Sequence, residues 1–217
     1  MSNAALRVLF ESCQHLTELG LYSNDSDLTP DTRQILDLEP VLHIYLPGLT
    51  ELKVTGESIT SNALQDIFTY CSDLHGVDIA SCTQITDETM KILAQNCSLL
   101  RCFHLTTCKN VTITGVLEVV TRCSSLILFN LTDMPGNNEV LIQLSLHCHE
   151  LFYLNIQLCT GGPLTEASIM AVAEACPQLE HVCLSGSIME PLTPTLELIK
   201  QKQLYVQNHR TVHFYMS

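Results

Sequence analysis

The sequence has no tryptophan, and aromatic residues make up only 6% of its 217 positions. A core in a chain of this length must therefore be aliphatic, built from leucine, isoleucine, valine and cysteine. No run of about 18 apolar residues is present, as a membrane-spanning helix would need. The opening MSNAALRVLFESC also lacks the layout of a secretory signal. We therefore expect a cytoplasmic protein, or one shared with the nucleus, with no membrane partner.

Basic residues are scarce as well. The chain holds 10 Lys and Arg against 23 Asp and Glu, a net charge of −13. The imbalance is concentrated in residues 1–88, which contain 14 acidic and 3 basic residues. A nucleic-acid partner would need a basic footprint and is excluded. The acidic half favours a basic protein partner; the alternative is a solvated face that only keeps the protein in solution.

A short motif recurs along the chain. Cys-x-x-Leu begins at six positions: Cys13, Cys71, Cys97, Cys123, Cys148 and Cys176. Leu46 takes the same place without a thiol. With Leu46 included, successive motifs begin 25 to 33 residues apart. Each motif runs into the pattern L-x-x-L-x-L with an apolar residue at every marked place. Such a short run with alternating apolar residues predicts a strand that is buried on one side.

Each strand pattern is followed by a residue suited to cap a helix. These residues are Thr29, Thr60, Thr86, Thr112, Asn137, Thr165 and Thr193, and the five from Thr60 to Thr165 each lie eleven residues before the next cysteine. Between cap and cysteine the apolar residues follow helical spacing, as in Met90, Leu93, Ala94 and Cys97.

Repetition of this unit at 20–29 residues predicts a leucine-rich repeat fold. We expect a single α/β domain over 1–217, an α/β solenoid or horseshoe with parallel strands on the concave face and helices on the convex face. Residues 6–200 would form about 7–8 stacked repeats, which share one core. Residues 201–217 leave the register and would form a C-terminal cap or edge strand.

Two segments carry a closer resemblance: CSDLHGVDIASCTQITDETMKILAQNC and CSLLRCFHLTTCKNVTITGVLEVVTRC. They resemble the cysteine-containing leucine-rich repeat family, as in F-box/leucine-rich repeat proteins and their F-box-less Amn1-like relatives. The resemblance implies a role in substrate recognition for an SCF-type (Skp1–cullin–F-box) ubiquitin ligase, and hence in SCF-dependent protein catabolism. We expect the F-box itself to be absent from this chain, so Skp1 and cullin would be partners only if an F-box lies upstream in a longer product.

Eight of the eleven cysteines are explained by the repeat, since five end its helices and three lie in its turns. Those that end the helices are expected to point inward, and Cys82, Cys108 and Cys159 to fill the turn after the strand, where a buried thiol serves as a small hydrophobe and weak donor. A zinc site, a disulfide framework and a cysteine nucleophile are the alternatives. No Cys-x-x-Cys pair supports zinc, and helix C-termini have the wrong dipole sign for an activated thiolate. We expect no enzyme activity, no metal and no cofactor.

The partner surface should lie where strand side chains point away from the core, on the concave face. We predict partner-binding residues that begin acidic, become polar and end apolar: Glu18, Glu51, Asp78, His104, Asn130, Leu128, Tyr153, Asn155 and His181. Leu128 and Tyr153, with Ile127 and Phe152 beside them, are expected to be exposed apolar anchors. The alternative is that they are scattered surface residues, or that another segment covers them.

These patterns predict a protein–protein interaction module, with the ligase role implied by the resemblance. A leucine-rich repeat scaffold or regulator without a ligase link is the alternative.

Overall fold

The computed structural model describes residues 12–13, 15–22, 46, 48–56, 59–160, 162, 164–184 and 205–206. Strands and helices alternate through most of this part of the chain. The strands are β1 (Glu18–Tyr22), β2 (Glu51–Thr55), β3 (Gly76–Ala80), β4 (Cys102–Thr106), β5 (Leu128–Thr132), β6 (Tyr153–Asn155), β7 (His181–Cys183) and β8 (Tyr205–Val206). The helices are α1 (Ser61–Tyr70), α2 (Asp87–Asn96), α3 (Ile113–Arg122), α4 (Asn138–His147) and α5 (Glu166–Ala175).

All eight strands form one parallel sheet in sequence order. Helices α1 to α5, each of ten residues, connect the strands from β2 to β7 in turn. Helix α1 thus lies between β2 and β3, and α5 lies between β6 and β7. Equivalent residues of successive repeats pair directly, so that Glu51 lies beside Gly76 and Gly76 beside Cys102. This is the predicted α/β leucine-rich repeat solenoid, with strands on the concave face. Residues 205–206 add a short parallel strand beside β7, while the predicted domain bounds stay a prediction.

The core is aliphatic, as the composition predicted. Alternate strand residues are buried, as in the burial of Leu52 and Val54 on β2 and of Leu105 on β4. Phe103 and Phe129 are fully buried on neighbouring strands, with ring centroids 5.9 Å apart. They join helix residues in one continuous cluster that runs through the repeats. No single repeat could bury its apolar face alone, so the repeats stabilise one another.

The predicted caps begin the five helices. The Thr60 hydroxyl accepts from the Ala63 N–H at 3.1 Å, and the Asn137 side chain accepts from the N–H groups of Glu139 and Val140 at 2.9 and 3.3 Å. Such a cap stabilises a helix by about 1 kcal/mol. The proposed caps Thr29 and Thr193 lie outside the described residues.

The cysteines that end the helices form a ladder of thiols through the core. Each donates its S–H to the main-chain carbonyl of the equivalent residue one repeat earlier, over Sγ–O distances of 3.3 to 3.7 Å: Cys176 to Cys148, Cys148 to Cys123, Cys123 to Cys97, Cys97 to Cys71, and Cys71 to Leu46. The last carbonyls of a helix have no partner within it. A thiol at this position fills apolar space and also satisfies such a carbonyl in the previous repeat.

The turn cysteines follow the same logic. Cys82 and Cys108 donate to the Ala80 and Thr106 carbonyls at 3.4 Å, and Cys159 donates to the Leu131 carbonyl at 3.3 Å. All three are buried. This confirms the packing role predicted for them.

Adjacent helices are also joined at their first turns. Asp87, the first residue of α2, accepts hydrogen bonds from the N–H and hydroxyl of Thr112, the cap of α3, at 2.7 and 2.6 Å. Gly115 leaves room for this contact, because a Cβ there would lie 2.5 Å from Asp87 Oδ1 and 3.0 Å from Asp87 Cα. The glycine is therefore required by the packing of α2 against α3.

We expect Gly115→Ala to destabilise the protein by about 1–3 kcal/mol, the usual cost of overpacking a tight contact. This would hold although alanine favours a helix over glycine by about 1 kcal/mol. Urea unfolding followed by circular dichroism measures the change. Thr114→Ala, at an exposed neighbouring position of α3, is the matched control and should be nearly neutral. An unchanged or raised midpoint for Gly115→Ala would show that the helices are not in tight contact there.

Within the described residues, no helix is long and apolar enough to span a membrane. The five helices have ten residues each and are about 15 Å long.

Candidate functional site

The strand register forms two rows of side chains across the concave face. The first row is Glu18, Glu51, Gly76, Cys102, Leu128, Tyr153 and His181. The second row is Gly20, Lys53, Asp78, His104, Asn130, Asn155 and Cys183. The structure thus brings all nine predicted residues onto one face in the predicted order. Whether they bind a partner stays a prediction.

The β1–β3 end of the face is acidic. Glu18 is exposed and pairs across the sheet with Glu51, so two carboxylates occupy neighbouring places. Burial, with the Glu18 charge as a second cause, raises the pKa of Glu51 above its usual range. A Cβ on Gly76 would overlap the Glu51 carboxylate, which shows that this side chain lies along the sheet over the glycine. The exposed Lys53 supplies the nearby positive charge.

The centre of the face is a hydrogen-bonded network. Asn130 Nδ2 lies 3.2 Å from His104 Nδ1, and the Thr132 hydroxyl donates to Asn130 Oδ1 at 2.8 Å. Asn155 Nδ2 donates to the Thr132 hydroxyl at 3.4 Å, and Asn155 Oδ1 accepts from the Gln157 N–H at 3.1 Å. Polar side chains from three strands are thereby held in fixed orientations.

The L-x-x-L-x-L motif does not indicate Thr132, because this residue follows the last apolar position of the motif. A signal was present nevertheless. Threonine occupies the equivalent place on β2 and β4, as Thr55 and Thr106. A third row of side chains, with threonine at three of its places, thus borders the two that the motif defines.

The apolar end of the face differs from the prediction. Tyr153 and Asn155 are only 4% and 8% exposed, so neither stands out into solvent. The ring of Tyr153 leans over the next strand, with its centroid 6.0 Å from that of His181 and its hydroxyl 3.8 Å from Cys183 Sγ. The expectation that Tyr153 is an exposed anchor is wrong, because a large side chain on the sheet gains contact area by lying against its neighbour.

Leu128 and its neighbours remain partly accessible. Leu128, Ile127 and Phe152 are half-buried. Phe152 contacts the His181 ring edge-on, at a centroid distance of 5.3 Å. The accessible surface of the rows therefore lies mainly from β1 to β5, centred closer to the acidic end than the sequence indicated.

The buried thiols have low chemical reactivity. Burial is the first cause of every raised thiol pKa, which reaches about 12 for Cys97, Cys123 and Cys148. The nearby Asp73 carboxylate adds to the effect at Cys71, whose pKa is about 11. These groups stay protonated at neutral pH, whereas the thiolate is the form that attacks or binds metal. Among the described residues, no group of three or more His, Cys, Asp or Glu side chains is placed to hold a metal ion.

Cys13 and Cys102 are the two cysteines that are not fully buried, all eleven being among the described residues. We expect a mild alkylating reagent to label these two in the native protein and the other nine only after unfolding. Cys102 should react more slowly than a free thiol and faster as pH rises, because burial and the Glu51 charge raise its pKa. Mass spectrometry of labelled peptides checks this. Rapid native labelling of Cys97 or Cys123 would contradict the buried ladder.

Comparison with known proteins gives similarity in fold alone. No protein-family model matches the sequence, and no curated protein matches it. Among solved structures, the crystal structure of the Rad7 and Elc1 complex in yeast includes a chain that is similar to this one, with a TM-score of 0.50 and 19% identity. The match covers 90% of this chain and 60% of that chain. The chain thus spans less than two thirds of the length of that structural neighbour.

Proposed function

We propose that this chain is a protein-binding module and that its partner binds on the concave face between β1 and β5. The observation that carries the proposal is the display of acidic, polar and half-buried apolar side chains on one parallel sheet, from Glu18 to Leu128. Interfaces typically combine an apolar centre with a polar rim. Here Leu128 supplies apolar area beside the polar groups of His104 and Asn130.

A basic segment of a partner protein suits the β1–β3 end. Glu18 and Glu51 carry like charges on paired strands, and a cationic side chain between them would relieve their repulsion. The net charge of −13 would also attract such a partner over a distance at low salt.

The finer proposal is substrate recognition for an SCF-type ubiquitin ligase by a member of the cysteine-containing leucine-rich repeat family. Two things support it: the resemblance of the repeats, including the thiol ladder, and a similar fold in a chain of the Rad7–Elc1 complex. Skp1 and cullin would join through an F-box in a longer product. The module itself would have no catalytic residue, metal or cofactor, and it would act in the cytoplasm or nucleus.

The test is affinity capture of the full-length gene product from its native cells, followed by mass spectrometry. A concave variant carries Glu18→Lys and Leu128→Ala. A matched convex variant carries Leu146→Ala, since Leu146 is 59% exposed on α4. Thermal unfolding first verifies that both variants fold.

We expect at least one captured protein to be lost from the concave variant and retained by the convex one. Skp1 and cullin in all three captures would support the ligase role. Their absence, with the concave loss intact, would favour a scaffold or regulator. An identical set of captured proteins from all three would contradict binding on the concave face.

A further inference from the structure

The hydrogen bonds at the centre of the concave face form a chain with a fixed direction. Its start is the Gln157 main-chain N–H, which can only donate, so Asn155 must present Oδ1 to it, as observed at 3.1 Å. Asn155 then turns Nδ2 towards Thr132, whose hydroxyl oxygen accepts at 3.4 Å and whose O–H donates to Asn130 Oδ1 at 2.8 Å. The Gln157 N–H thus fixes the Asn155 amide, and the donation from the Thr132 hydroxyl fixes the Asn130 amide.

The direction of the chain determines the state of His104 at its end. With Oδ1 used by Thr132, Asn130 presents Nδ2–H to His104 Nδ1 at 3.2 Å. Nδ1 must therefore be an unprotonated acceptor, which leaves the ring proton on Nε2. His104 is half-buried on the open face of β4, where a partner would meet it.

We propose that this chain of hydrogen bonds makes the concave face proton-sensitive: protonation of His104 at Nδ1 flips the Asn130 amide, reverses the hydrogen bond between Thr132 and Asn130, and changes the pattern of donors and acceptors that a partner meets. The biological meaning of this sensitivity rests on the proposed function, since it concerns regulation of that same surface. The sensitivity itself follows from the hydrogen-bond geometry.

The reversal follows from donor and acceptor counting. A proton on Nδ1 would face the Asn130 N–H, and two donors at 3.2 Å repel each other. A flip of the Asn130 amide relieves this by turning Oδ1 towards His104. Thr132 then meets an N–H in place of its acceptor and must turn its own proton elsewhere, which alters its contact with Asn155. No backbone movement is required.

The surroundings of His104 favour the neutral ring at neutral pH. Burial lowers the pKa of His104; Asp78 of β3 raises it, and Lys53 of β2 lowers it. On the other side, β5 presents Leu128, Asn130 and Thr132, none of which is charged, and Cys102 shares β4 with the histidine. A histidine with a lowered pKa gains its proton only below the pH at which an exposed histidine does so.

The experiment is nuclear magnetic resonance of the intact chain with ¹⁵N labelling, which needs no partner. At pH 7.5, we expect the His104 ring nitrogens to show Nε2 protonated and Nδ1 unprotonated. On acidification, the side-chain amides of Asn130 and Asn155 should shift with the same midpoint as His104. That midpoint should lie below the usual range of a histidine, because burial lowers the pKa of His104.

Thr132→Val interrupts the hydrogen-bond chain between Asn155 and Asn130, because valine keeps the shape of threonine and removes its hydroxyl. In this variant Asn155 should no longer follow the His104 midpoint, whereas the His104 ring should still titrate. A proton on Nδ1 at pH 7.5 would overturn the proposal, and so would wild-type Asn130 and Asn155 amides that do not follow His104. Either result leaves the capture experiment unaffected, since the carboxylate of Glu18 and the side chain of Leu128 take no part in these hydrogen bonds.

Discussion

Replacing Phe103 with alanine should destabilise the protein by about 3–5 kcal/mol, the usual cost of removing a buried aromatic ring. Phe103 lies on β4, in the middle of the solenoid, with no solvent exposure. Its ring contacts Phe129 of the next repeat. Removing the ring would therefore leave a cavity between two repeats that stabilise each other. Chemical unfolding followed by circular dichroism measures the loss.

The matched control is Phe103→Leu, which keeps an apolar side chain at the same place and should cost clearly less. Because neighbouring repeats share one core, both variants should unfold in a single transition with a lowered midpoint. A shift of less than about 1 kcal/mol for Phe103→Ala would mean that β4 does not form the centre of the core.

Replacing Tyr153 with alanine should cost about 3 kcal/mol, far more than an exposed anchor on a binding surface would. The side chain is 4% exposed and packs against His181 and Cys183 of β7. Its removal would leave a cavity between β6 and β7. Thermal or urea unfolding of the isolated protein measures the effect.

Tyr153→Phe distinguishes packing from hydrogen bonding at this position. It keeps the ring and removes only the hydroxyl that contacts the Cys183 sulfur, so it should cost less than about 1.5 kcal/mol. If Tyr153→Ala leaves the unfolding midpoint unchanged, the ring is a surface anchor as the sequence suggested, and its burial against β7 is wrong.

The fold could be predicted from the sequence because the same pattern of apolar residues, cap and cysteine recurs in successive repeats. The caps Thr60, Thr112 and Thr165 each lie eleven residues before the cysteine that ends the helix, and the structure has a helix between each such pair. Periodicity also predicted which strand residues share a face, and the pairing of His104 with Asn130 and of Glu18 with Glu51 agrees. Register follows from pattern when each strand exposes alternate residues.

The details of the site could not be predicted in the same way. Alternation says that Tyr153 points away from the core, but the length of the side chain allows it to lie down against β7 and become buried. The hydrogen-bond chain depends on Thr132, which is outside the motif, and on the Gln157 N–H, which lies in a turn. Side-chain conformation and contacts between rows decide these features, and a one-dimensional period contains neither.

If a partner covers the concave face, Cys102 reports on it directly. This half-exposed thiol lies in the first row between Gly76 and Leu128, whereas Cys13, the other cysteine that is not fully buried, lies outside both rows. The measurement is the alkylation rate of both cysteines in the chain alone and with a saturating amount of the protein captured by the wild type and lost from the concave variant. We expect labelling of Cys102 to slow strongly while labelling of Cys13 is unchanged. An unchanged rate at Cys102 in the saturated complex would contradict binding on this face.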